Sequence, residues 1–130
     1  MTGELTHVVE ENDTAFKAGG EAFPRVLSTP RLISLMESAS AKAVGSELPP
    51  EQTTVGSEVN MKHLAATPIG MQVRIRSELV EMSGRRLCFH AEAWDQLEKI
   101  GDCMHERFII DWDRFYKRVD EKKDAIGAAK

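Results

Sequence analysis

A single change of hydrophobic period divides this sequence, and it leaves few ways to fold the chain. Ahead of the change the one regular pattern is helical: Leu32, Leu35, Met36, Ala39 and Ala43 recur every three or four residues and form one apolar stripe. After Thr54 the period drops to two. In Val55–Ala65 the odd positions Val55, Ser57, Val59, Met61, His63 and Ala65 share a face, with Glu58, Asn60 and Lys62 opposite. Met71, Val73, Ile75 and Leu79 then alternate with Gln72, Arg74, Arg76 and Glu78. Ser83-Gly84 is a turn signal, so the following strand, with Leu87, Phe89, Ala91 and Ala93 inward, pairs with it as a hairpin. A connection near Asp95–Glu98 leads to a last strand over Lys99–Asp111, and Trp112–Ile126 reads as a charged helix or tail.

Thr29-Pro30 marks the helix start: a hydroxyl residue at the N-cap, then proline at the first helical position, where no N–H is required. Leu48-Pro49-Pro50 ends it. Upstream, Thr6–Glu10 reads as a short first strand, and Asn12–Val26, broken by Gly19-Gly20 and Pro24, has no regular pattern. A sheet that is polar on one side must cover the other, and one apolar helix is the only cover available. The expectation is an α+β domain, an antiparallel sheet of about five strands wrapped around one long central helix. Such a sheet has open edges, so a homodimer through sheet edges is expected. A length of 130 residues suits one domain, 1–130, with 1–5 and 124–130 as loose tails.

Charge narrows the partners. The chain is acidic, −4 with a pI near 5.6, and its 17 basic residues form no stripe with aromatic partners, which argues against nucleic acid. Local clusters such as Arg85-Arg86 still suit a small anionic ligand. Cys88, Cys103 and the four histidines lack metal-ligand spacing, so no metal site is expected. No apolar run approaches the roughly 18 residues of a membrane span. Met1–Glu11 has no signal-peptide pattern, and a cytoplasmic, reducing location is expected.

Three residues stand out chemically, each with an ordinary reading beside the functional one. Glu37 lies mid-helix among small, mildly polar neighbours, where a carboxylate needs hydrogen bonds or a raised pKa unless it reaches solvent from the edge of the stripe. Thr29 is an ordinary N-cap by position, yet a hydroxyl at a helix start also sits where developing negative charge is favoured. His63 falls on the inward parity of its strand, as a satisfied core histidine or as a base facing Glu37. Phe23, beside Pro24 in the irregular stretch, either covers a pocket or packs under its own loop.

Several segments together resemble the bacterial fluoroacetyl-CoA thioesterase family. They are Leu27-Ser28-Thr29-Pro30 with Leu35-Met36-Glu37, Thr54-Val55-Gly56 leading to His63-Leu64-Ala65-Ala66-Thr67-Pro68-Ile69-Gly70, Ser83–Leu87, and His105-Glu106-Arg107-Phe108. The resemblance spans about Val26–Phe115 and implies the hotdog fold and hydrolysis of a small acyl-CoA to free acid and CoA. It implies that Thr29, Glu37 and His63 act together, that Gly56 lies beside the reacting centre, and that Arg107 belongs to the site. CoA enters as part of the substrate, and no cofactor is implied. A hotdog hydratase or dehydratase, which uses an Asp/His pair, and a non-catalytic acyl-CoA-binding dimer are the alternatives. The acyl group is not carried over.

Overall fold

The computed structural model describes residues 1–128. In chain order they form β1 (Thr2–Val8), a 3-10 turn (Glu11–Asp13), α1 (Ala15–Gly19), α2 (Thr29–Gly45), β2 (Gln52–His63), β3 (Gln72–Ser83), β4 (Arg86–Trp94), β5 (Lys99–Asp111) and α3 (Trp112–Ala128). The strands make one antiparallel sheet in the order β1-β3-β4-β5-β2.

The apolar stripe of α2 lies on the inward residues of this sheet. Leu32, Leu35, Met36 and Ala39 are buried against Val73 and Ile75 of β3, Ala91 and Ala93 of β4, and Cys103 of β5. Farther along the helix, Ala43 and Val44 meet Leu87 and Phe89. Each fully buried side chain of the Leu or Phe class contributes about 1.5–3 kcal/mol, so the stripe anchors the helix axis along the strands. Small residues let the backbones approach. A Cβ on Gly101 would stand 2.8 Å from Met36 Cε, and one on Gly3 would run into the Ala39 carbonyl and come within 2.7 Å of Ala43 N. A buried serine pair in this interface is closed: Ser40 Oγ donates to the Met36 carbonyl (2.8 Å) and accepts from Ser77 Oγ (2.7 Å).

Three expectations need correction. The first strand begins at Thr2, not Thr6, and residues 1–5 are no loose tail: Thr2–Val8 pairs with Glu78–Gln72, and Gly3 is buried under α2. Residues 124–128 continue the exposed helix α3, while 129–130 lie outside the described residues. The inward parity of β2 also changes midway. A bulge between Gly56 and Glu58 inserts one residue, so Thr54 and Gly56 share a face with Met61 and His63, and Val55 does not belong to it. Alternation read without the bulge puts the first half of the strand on the wrong side. No helix among the described residues is long and apolar enough to cross a membrane.

Candidate active site

The start of α2 differs from its sequence reading by one residue, and the difference frees a hydroxyl. Ser28 is the N-cap, extended at φ −77° and ψ 153°, and its Oγ accepts from Arg31 N. Thr29 is then the first helical residue. Its Oγ1 lies 2.8 Å from Nδ1 of His63, the last residue of β2. His63 Nε2 is buried with no hydrogen-bond partner, alone in this among the side chains of the described residues. Burial holds the His63 pKa below its ordinary value; the nearby Ala65 carbonyl opposes this without a hydrogen bond of acceptable geometry. At neutral pH the ring is uncharged, with one nitrogen committed to Thr29 and the other unpaired.

A cleft of about 430 Å³ opens on this pair, walled by Ala15, Pro24 and Val26 on one side and Leu64–Ala66 on the other. Three residues of the irregular stretch, Ala15, Pro24 and Val26, thus line the cleft. Phe23 does not: it is half exposed and packs back on Gly19, where a Cβ would stand 2.5 Å from its ring.

Glu37 belongs to a second cluster, two turns along α2. Its Oε2 accepts from Arg107 Nη1 (3.2 Å), and it faces the bare α-carbon of Gly56, where a Cβ would come within 2.5 Å. The β2 bulge is what turns Gly56 inward opposite Arg107. Arg107 is held from three sides: Nε donates to Thr54 Oγ1 (2.8 Å), Nη2 to the Thr54 carbonyl (2.9 Å), and Nη1 also approaches His105 Nε2 (3.2 Å). His105 donates from Nδ1 to the Glu58 carbonyl (2.8 Å), which leaves Nε2 as the acceptor. Burial, helped by the Arg107 charge, lowers the His105 pKa. The 3.8 Å approach of His105 to Glu37 is therefore no ion pair, because the imidazole is neutral. Arg107 stays charged even though burial lowers its pKa, and it supplies the counter-charge for Glu37. The Glu37 side chain is 39% exposed and only Oε2 is engaged, so one side of the carboxylate is open.

The spatial premise of the sequence reading thus changes. Within one chain Glu37 meets the imidazole of His105, not that of His63. Thr29 and Glu37 are eight residues apart, or ~12 Å along a helix axis. The structure brings Thr29 to His63, and Glu37 to Gly56 and Arg107, as two half-sites. His105 and Thr54 were missed as site residues. The alternation Gly101, Cys103, His105, Arg107 along β5 places two polar side chains in an otherwise small or apolar row, a signal the sequence does carry.

Two other groups are set aside by their surroundings. His90, Glu92 and Asp102 are close enough to hold a cation, but Lys99 Nζ already sits between the two carboxylates at 2.7 and 2.8 Å. The Cys103 thiol is pushed up to about 11 by burial and is no nucleophile at neutral pH.

Against known proteins, a family model described as fluoroacetyl-CoA-specific thioesterase matches residues 9–113. The fluoroacetyl-CoA thioesterase of Streptantibioticus cattleyicolor is 36% identical over 103 residues, covering 79% of this chain and 74% of that protein. A crystal structure of a point mutant of the fluoroacetyl-CoA-specific thioesterase superposes with a TM-score of 0.88 at 31% identity, over 94% of each chain. A Thermus thermophilus member of the thioesterase superfamily gives 0.85 at 26% identity, over 96% of this chain and 94% of that one. A hot-dog-like protein from Thermanaerovibrio acidaminovorans, at 21% identity, shares the fold with a TM-score of 0.86 over 94% of this chain and 90% of its own.

Proposed function

Because the chain belongs to the fluoroacetyl-CoA-specific thioesterase family, it is an acyl-CoA thioesterase of the hotdog fold, and we propose that Glu37 and the Thr29–His63 pair are its reactive groups toward small acyl-CoA esters. The observation that carries this reading is the open side of the Glu37 carboxylate against the bare Gly56 α-carbon, with Arg107 fixing the carboxylate from behind. In the overall reaction the acyl–sulfur bond breaks, water supplies the new acyl oxygen, and the thiolate of CoA leaves with one proton. Glu37 takes a proton from the attacking water beside Gly56. The Thr29 hydroxyl, oriented by neutral His63, donates to the carbonyl oxygen as it gains charge. A good donor placed there is worth about 3 kcal/mol. CoA thiolate is a good leaving group, no cofactor is called on, and CoA is part of the substrate.

The ~12 Å between the half-sites bears on assembly. β2 is an edge strand with an unpaired outer side among the described residues. We propose a homodimer in which two β2 strands pair antiparallel about Asn60, with the bulge at Ser57 passed over in the pairing. That register sets His63 of one copy opposite Gly56 of the other, so each reaction centre joins Glu37 of one chain to Thr29 and His63 of its partner. A cytoplasmic location belongs to the same proposal, supported by the two free thiols, Cys88 and Cys103.

The test is complementation. Glu37→Gln and His63→Ala proteins are each expected to release thiol from acetyl-CoA about 10²–10⁴-fold slower than wild type, the usual worth of an acid–base group. Unfolding the two together and refolding them is expected to restore part of the activity, because the mixed dimer contains one intact centre. Near-normal turnover by Glu37→Gln would refute its role; inactive single variants with no recovery in the mixture would refute the shared site. A substrate panel followed by thiol release then defines the acyl preference.

A further inference from the structure

Helix α3 lies almost wholly beyond the residues that the family model matches, and it carries charges that the reaction does not use. Its first turns stand over the end of β5 and leave a cleft of about 300 Å³ between them, lined by Arg85, Arg114 and Arg118, one carboxylate, Asp111, and the apolar Phe115, Ile109 and Ile110. On a chain of net charge −4, three guanidinium groups meet there. Few local carboxylates oppose them. Asp111 pairs with Arg85 at 3.2 Å, and Glu121 lies 3.9 Å from Arg118, which is 85% exposed. The Arg114 charge acts on Asp111 without forming an ion pair. The apolar part of the cleft is aromatic: Phe115 keeps about a third of its surface exposed.

We propose that this cleft holds the phosphorylated adenosine end of CoA, the phosphates on Arg114 and Arg118 and the adenine against Phe115. The proposal rests on the thioesterase reading and extends it to a second, remote binding site. Guanidinium groups match phosphate oxygens in pairs, and an aromatic or guanidinium face stacks on a purine. The distance also fits. Arg107, beside Glu37, precedes Asp111 by four residues on the same strand, ~13 Å at 3.3 Å per residue, and the arginines of α3 begin just past it. The pantetheine arm of CoA has about the backbone length of four residues and spans at most ~14 Å. The length of the pantetheine arm thus matches the separation along β5 between the Gly56–Arg107 pair and the end of the strand where this cleft opens.

The experiment pairs binding with turnover in the full chain and in the charge reversals R114E and R118E combined. Both positions are on an exposed helix, and an unchanged Tm verifies folding. By calorimetry the double variant is expected to bind CoA roughly tenfold or more weakly than wild type, the scale set by losing two charge-assisted contacts, while pantetheine binding changes less than about twofold. In turnover, KM for acetyl-CoA is expected to rise by a similar factor, and KM for S-acetylpantetheine, which lacks the nucleotide, is expected to stay. Raising salt should weaken the binding of CoA to wild type and affect the double variant little. Equal CoA affinity in the two proteins, or parallel loss for CoA and pantetheine, would overturn the nucleotide site. Intact CoA binding with no thiol release from either thioester would instead sink the thioesterase reading alone.

Discussion

Replacing Gly56 by alanine asks one methyl group to test the centre of the site. The new carbon would lie 2.5 Å from Glu37 Oε2, 3.2 Å from His105 Cε1 and 3.4 Å from Arg107 Nη1. Carbon–oxygen contacts settle at about 3.3 Å or longer, so the carboxylate must retreat by ~0.8 Å. Misplacing a reacting group by about 1 Å costs on the order of 10²-fold in rate, and that is the fall expected in kcat for thiol release from acetyl-CoA. Stability should move in neither direction by much. Alanine in a strand gains about 0.5–1 kcal/mol over glycine. Loosening the Glu37–Arg107 pair gives back at most a similar amount, because the Glu37 side chain is 39% exposed and the pair is screened by solvent. The two effects nearly cancel, and Tm should stay within about 4 °C of wild type. An alanine variant with kcat within about threefold of wild type would show that Glu37 does not react where the geometry puts it.

The helix start allows a separation of roles: Thr29→Ala should lower kcat about 10-fold or more with little change in Tm, whereas Ser28→Ala should cost about 1 kcal/mol of stability with most of kcat kept. The reverse pattern, read from melting curves and initial rates, would restore Thr29 to a mere cap. Gly3→Ala should destabilise by about 3 kcal/mol, because its Cβ meets helix backbone that cannot move aside, and urea denaturation with an unchanged midpoint would refute the docking of β1. His63 and His105 both have pKa values lowered from 6.5 by burial, so the unfolded chain binds more protons than the folded one as pH falls through 6.5. Stability is therefore complete above that pH and declines below it, down through the folded-state values. The carboxylates of Asp13 and Glu106 are held below their ordinary values of 3.8 and 4.5, so Tm measured between about pH 7.5 and 5.5 isolates the histidines. A flat Tm across that window would contradict their neutral burial.

The sequence by itself determined the elements whose pattern is local. The three-to-four spacing of Leu32, Leu35, Met36 and Ala39 specified α2, and the period-two rows of β3, β4 and β5 specified which faces it covers. Thr29, Glu37 and His63 were legible as candidates from their helix-start, mid-helix and inward-strand positions, whereas Gly56 and Arg107 came from the family resemblance alone. The partners of these residues were not legible. A β-bulge leaves no fixed mark in a strand's composition, so the parity reversal at Gly56 emerged only from pairing with β5. The shift of the cap to Ser28 depended on where the chain turns into the helix, a geometric matter of one residue. Only the tertiary fold decided which imidazole faces Glu37, because His63 and His105 share an inward parity and differ in how far along the helix axis their strands carry them.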